Sequence, residues 1–312
     1  MKKANFILPG MYEHAALNLS FLQLMKENPE WFYDNVQVSS VYGNFQFCIF
    51  DGGRIFSEYR HTTREEMQDI VKAYNDLGVS VRLVFTNPVI KPEHFKNRFC
   101  QAVLECCHNS MNEIVVNDEK LEQYLRENYP LFQYISSTTK CLSKPEEFQE
   151  ELNKDYKMIC LDYNLNKNWK MLNNIDKNIR NKCEFLSNAI CPPGCPNRKE
   201  HYRLNGLYAL NYGRNFATQG CPIRFNTLHP EQCNSSNNIT PQEIFEAYLP
   251  KGFVNFKLEG RTLGVFENLA NYVKYMVKPE YQYFVMSVLI NEAAQKKVYN
   301  NDRVVINPQE IS

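Results

Sequence analysis

Eight short apolar, β-branched runs alternate with stretches of helical periodicity along the 312-residue chain, and this rhythm constrains the fold more than any other feature. The runs lie at about 5–8, 36–50, 79–85, 113–116, 131–135, 158–161, 183–186 and 253–258. A parallel sheet needs a crossover between neighbouring strands, and a helix is the usual one, so strict alternation points to parallel pairing. Eight such units are the number that closes into a (β/α)8 TIM-type barrel, here expected as a single domain over 1–312. The alternative is an open doubly wound sheet. Neither the Gly-rich dinucleotide fingerprint nor the Gly-x4-Gly-Lys-Ser/Thr phosphate loop is present to support it.

Helix boundaries are marked in places. Thr63 with Glu66 three residues on forms a capping box, and Gly78 ends that helix. Asp118 reads as the cap of a helix beginning near Glu119. Further helices are expected over 13–26, 92–107, 144–152, 168–179 and 263–277.

Lys and Arg total 35 against 35 Asp and Glu, which excludes a generic polyelectrolyte binder. With 44% hydrophobic residues there is material for a large core. No apolar run approaches the roughly 18 residues of a membrane span, the strongest being Phe284 to Ile290, broken by Ser287. After Met1-Lys2-Lys3, the run Phe6-Ile7-Leu8 is too short for the apolar core of a secretory signal, so a cytoplasmic location is expected. Eleven cysteines, an odd number, then read as reduced thiols rather than a disulfide framework.

One connection breaks the rhythm. Residues 187–240 separate the seventh and eighth strands, where such loops usually run two to six residues. In a barrel this connection lies at the C-terminal face, where active sites are built. The insertion is rich in Cys, Pro, Gly and Asn and is expected to be irregular. Four cysteines fall in it: Cys191 and Cys195 in Cys-Pro-Pro-Gly-Cys, Cys221 before Pro222, and Cys233. Bent backbone delivering four thiolates suits a metal centre, either a [4Fe–4S] cluster or tetrahedral Zn. Cys48, Cys160 and Cys183 fall in strands and Cys100, Cys106 and Cys107 in a helix, where free Cys acts as a small apolar residue.

The eighth strand runs out as Phe256-Lys-Leu-Glu-Gly-Arg261, with Glu259 and Arg261 at the barrel mouth. This segment, followed by a helix containing Tyr272-Val-Lys-Tyr275, resembles the Lys-Ile-Glu-Gly-Arg segment and next helix of the collagenase-like peptidase U-32 family. Tyr134-Ile-Ser-Ser-Thr138 is similar to that family's fifth strand, and the stretch from Cys183 to Cys191 to the strand leading into its first cluster cysteine. The resemblance covers about residues 60–280. It implies a barrel carrying a [4Fe–4S] cluster, with Cys191, Cys195, Cys221 and Cys233 inheriting the ligand role, and oxygen-independent hydroxylation or related redox chemistry on RNA or a small aromatic substrate. Working alone and working with a partner protein of the same family both stay open. Where the family carries His-Gly before its first cysteine, this chain has Ser187-Asn188, and its cysteines are differently spaced.

The peptidase label finds no Gly-x-Ser-x-Gly elbow and no His-Glu-x-x-His motif. Catalytic candidates are Glu259, Arg261 and Asp162. Ser136, Ser137, Thr138, Lys257, Glu259 and Arg261 are candidates for substrate binding at the strand ends. Arg261 is expected either to fork onto a substrate carboxylate or phosphate or to pair structurally with Glu259. In the insertion, Arg198, Lys199, Arg203, Arg214 and Arg224 interleave with Tyr202, Tyr208, Tyr212 and Phe216, a combination that suits RNA or a small anionic molecule. His201 and His229 are alternative ligands there. The competing class is a noncatalytic binding module whose insertion is stapled by a structural metal.

Overall fold

A computed structural model describes residues 2–53, 61–211, 236–295, 299–300 and 303–304. Cys221, Cys233, His229, Arg214, Arg224, Tyr212 and Phe216 lie outside the described residues. Eight parallel strands close into a barrel in sequence order: β1 (Ala4–Pro9), β2 (Val36–Gly43), β3 (Ser80–Phe85), β4 (Glu113–Val116), β5 (Gln133–Ser136), β6 (Met158–Cys160), β7 (Cys183–Leu186) and β8 (Asn255–Lys257). Closure is made by β8 against β1, with Phe6 opposite Phe256 and Ile7 opposite Lys257.

The period-2 alternation of a strand sorts its side chains between two environments. Phe6, Val81, Leu83, Ile114, Phe185 and Phe256 face outward into the main core between sheet and helices. Ile7, Tyr42 and Val84 form a separate cluster inside the barrel, as do Val115, Ile135 and Met158. The outer layer comprises α1 (Ala15–Glu27), α2 (Arg64–Asp76), α3 (Arg98–Cys107), α4 (Glu119–Asn128), α5 (Pro145–Leu152), α6 (Trp169–Asn174), α7 (Arg198–Leu210), the short α8 (Pro241–Glu243), α9 (Val265–Met276) and α10 (Gln282–Gln295). The α8 turn continues as a π-helical stretch, Ile244–Tyr248, and a 3-10 turn, Leu249–Lys251. Among the described residues no helix is long and apolar enough to cross a membrane.

The capping box of Thr63 and Glu66 forms as expected, and Asp118 accepts from the Leu121 N–H at 2.8 Å. Four elements differ from the expectation. The second strand ends at Gly43, and the apolar residues beyond it, Phe45, Cys48, Ile49 and Phe50, are buried by a loop rather than by a sheet. Asn97 caps Cys100 N at 3.0 Å and splits the 92–107 region into a 3-10 turn and α3. The α6 helix stops at Asn174 because the Arg180 guanidinium takes the carbonyls of Asn173 and Ile175, each at 2.9 Å. Finally, the first part of the insertion is helical: α7 lies on the barrel top with Arg198, Tyr202, Asn205, Gly206 and Ala209 buried.

Candidate active site

The barrel interior is charged at mid-height. Arg82 of β3 is fully buried and donates from Nε to Glu113 of β4 at 2.7 Å and from Nη1 to Glu184 of β7 across the lumen. Glu113 also receives Lys157. Burial alone would push the Glu184 carboxyl up, but the Arg82 guanidinium and the Lys257 ammonium hold it below the usual carboxylate range. The Cys160 thiol, beside Glu184 and buried, is pushed up to about 12 and stays protonated.

Above this layer sits Lys257 of β8, buried, its Nζ 4.0 Å from the centre of the Tyr42 ring. Burial lowers its pKa, Arg82 and Arg261 lower it further, and Glu184 and Cys160 only partly offset them. Tyr42 is oriented by its hydroxyl, which donates to the Leu258 carbonyl at 2.9 Å.

At the rim, two buried arginines are each held by an aspartate. Arg261 forks onto Asp51, with Nη1–Oδ2 at 2.6 Å and Nη2–Oδ1 at 3.1 Å. Although burial opposes its charge, Asp51 keeps the guanidinium protonated. Arg198 of α7 pairs with Asp162, donates to Tyr202 Oη at 3.0 Å and to the Thr138 carbonyl at 3.0 Å, and lies 4.3 Å over the Tyr163 ring. This one arginine ties the insertion helix to the ends of β5 and β6.

The mouth between these groups encloses about 620 Å3 of empty space, solvent at its opening included. Lys257, Glu259 and Arg261 line it from β8 and its exit, and Ser137, Thr138 and Thr139 from the β5 exit. Cys191 is in the same wall. Glu259 does not pair with Arg261. Its Oε2 accepts from the Ile190 N–H at 2.9 Å, and its own N–H donates to Asn188 Oδ1 at 2.6 Å, so it fastens the start of the insertion to the strand end. Arg261 forks onto Asp51 rather than onto Glu259, and it still lines the cavity.

Ser136 is the one substrate-binding candidate that does not line the cavity. Its hydroxyl donates to Glu151 of α5 at 2.5 Å, on the outer side of the sheet, because it is one residue out of phase with the inward set. Asp162 is buried behind Arg198. The residues not anticipated are Arg82, Glu184, Asp51, Tyr42 and Thr86. Arg82 and Glu184 leave a trace in the sequence, each being a lone charge inside an otherwise apolar strand. The fully buried Thr86 Oγ1 has no hydrogen-bond partner among the described residues and lies in the cavity wall.

No known family model matches the sequence, and no curated protein does. Among solved structures, the barrel is similar to the U32 peptidase Mk0906, with a TM-score of 0.50 at 15% identity over 83% of this chain and 93% of that one. The two share a closed (β/α)8 barrel fold.

In this U32-like barrel, half of the proposed cluster ligands fall within the described residues. Cys191 and Cys195 are half-buried in the loop between β7 and α7, with Gly194 between them at a φ of +65°. Among the described residues no three His, Cys, Asp or Glu side chains group as a metal site. The two thiols are potential ligands, and Gly194 bends the backbone between them.

Proposed function

We propose that this U32-like barrel is an enzyme acting on a small anionic or aromatic substrate at the barrel mouth, in redox or hydroxylation chemistry dependent on a [4Fe–4S] cluster held by Cys191, Cys195, Cys221 and Cys233. The observation that carries the reading is that Cys191 lines the same cavity as Lys257, Glu259 and Arg261. A purely structural staple has no need of a cavity lined by charged strand-end residues beside it. When bound, the cluster supplies electron transfer or a Lewis-acidic iron.

The chain's own residues would bind and orient the substrate. Lys257 supplies positive charge from below, and Tyr42, Tyr163 and Tyr202 provide aromatic walls. Arg198 and Arg261 are already held by Asp162 and Asp51, and Arg203 by Glu200. These three arginines are therefore engaged within the protein, which favours a small substrate over an RNA backbone. The peptidase reading is less well supported, since no histidine is among the described residues of the cavity wall to act as a base.

Metal and acid-labile sulfide content of anaerobically purified protein tests the reading. About four Fe and four sulfides per chain are expected, and Cys191→Ser should lose them. One Zn without sulfide, or undiminished iron in Cys191→Ser, would overturn the assignment.

A further inference from the structure

Among the described residues the Lys257 ammonium has no hydrogen-bond or ion-pair partner, although it is buried and surrounded by charged groups that do. Arg82 is saturated by Glu113 and Glu184, Arg261 by Asp51, and Arg198 by Asp162. A lysine serving only as a counter-ion in the barrel would sit on one of those carboxylates. Its Nζ instead rests against the Tyr42 ring face and borders the open mouth. The second uncommitted group in that wall is the Thr86 hydroxyl.

We propose that Lys257 is a catalytic amine that forms a Schiff base with a small aldehyde or ketone in the mouth, with Thr86 Oγ1 hydrogen-bonded to the carbonyl oxygen. This deepens the reading of the mouth as an active site, on which it rests, and names the substrate class. In the step, the ammonium gives up a proton, the freed Nζ lone pair attacks the carbonyl carbon, the C=O π bond moves to oxygen, and a proton passes from nitrogen to that oxygen. The resulting carbinolamine takes the proton first released by the ammonium on its hydroxyl, and the nitrogen lone pair expels water. Overall, one ammonium and one carbonyl give one iminium and one water, so charge and atoms balance without an added oxidant or reductant. The Tyr42 ring that faces the ammonium also faces the iminium, which keeps the positive charge. A desolvated lysine beside other cations is the setting that frees the amine for such attack, and burial with Arg82 and Arg261 nearby shifts Lys257 in that direction.

The test is reductive trapping on the full-length protein with acetaldehyde and cyanoborohydride at pH 7, followed by peptide mapping. Lys257 should be ethylated roughly ten-fold or more faster than the exposed Lys26, Lys120 and Lys170. Labelling at Lys257 no faster than at those three overturns the proposal. In Lys257→Arg the fast label should vanish while the exposed lysines keep their rates. The wild-type comparison stands even if that variant does not fold. Iron and sulfide measured in the same preparation separate the two readings: an unreactive Lys257 in an iron-loaded protein rejects the imine alone, and a reactive Lys257 without iron rejects the cluster alone.

Discussion

Arg261 shows how much of this mouth is held together by single buried contacts. Its fork on Asp51 reaches from the end of β8 to the loop after β2, with both side chains nearly inaccessible. Removing one partner of such a pair strands a charge where water cannot reach it. Asp51→Asn is therefore expected to cost about 3–5 kcal/mol of unfolding free energy, read from urea denaturation, and Asp51→Asn with Arg261→Gln to recover part of it. A loss below about 1 kcal/mol would mean that the pair is solvated and does not organise the rim. Arg261 itself could be placed at the mouth from its position after the eighth strand, and so could Lys257, Glu259, Ser137 and Thr138. Asp51 could not, because a carboxylate 210 positions away carries no local signal of its partner. The outward turn of Ser136 onto Glu151 is hard to read for a different reason: in a short strand the inward and outward faces differ by one residue, and the Ser-Ser-Thr run has no apolar alternation to set the phase.

At the scale of elements, the strands were readable because β-branched residues mark them, and the caps at Thr63 and Asp118 because their chemistry is local. The helix α7 was not, since Arg198–Leu210 has a weakly amphipathic, charged sequence with Gly206 inside it, and an interior glycine costs about 1 kcal/mol in helix propensity. Its reason for being helical is tertiary. The Gly206 carbonyl accepts from Asn87 Nδ2 at 3.1 Å, and the same amide group donates to the Ile49 carbonyl at 2.7 Å. A Cβ at position 206 would stand 2.3 Å from Asn87 Oδ1, so the helix can approach only as glycine. Gly206→Ala should then strengthen the isolated helix by about 1 kcal/mol while losing two hydrogen bonds of about 1 kcal/mol each. The net expectation is about 1 kcal/mol of local loosening, seen as roughly five-fold faster amide exchange across 198–210 with the barrel strands unchanged. Slower exchange there would show that propensity, not docking on Asn87, governs the insertion. Residues 44–50 carry a strand-like sequence without forming a strand, for the complementary reason. Their aromatic and β-branched residues are buried, and burial without sheet pairing has the same composition as a strand.

The whole molecule is a barrel whose interior is closed partly by ionic rather than apolar contact. Arg82 joins β3 to β4 and, across the lumen, to β7, so three strands depend on one guanidinium. Because the two carboxylates must be charged to hold it, the barrel's stability should respond to acid. Glu184 is held below its usual range in the folded state, whereas in the unfolded chain it titrates near the ordinary value of about 4.3. A group with a lowered folded pKa binds fewer protons when folded. Its contribution is therefore complete above about pH 4.3 and is lost as pH falls through the folded value. Glu184→Gln should destabilise the protein on the order of 3 kcal/mol at pH 7, Arg82 keeping only Glu113. It should also remove the Glu184 part of the acid response. The gap in urea midpoint between wild type and variant is expected to narrow from pH 7 to pH 3, because below about pH 4.3 the unfolded wild type takes up a proton at Glu184 that the folded state binds less readily. Acidic residues remote from Arg82 are common to both proteins and cancel in the difference. A gap that stays constant over this range would show that Glu184 holds β7 to β3 by shape and hydrogen bonding rather than by charge. The position of Lys257 above the same network would then be set without electrostatic support from Glu184.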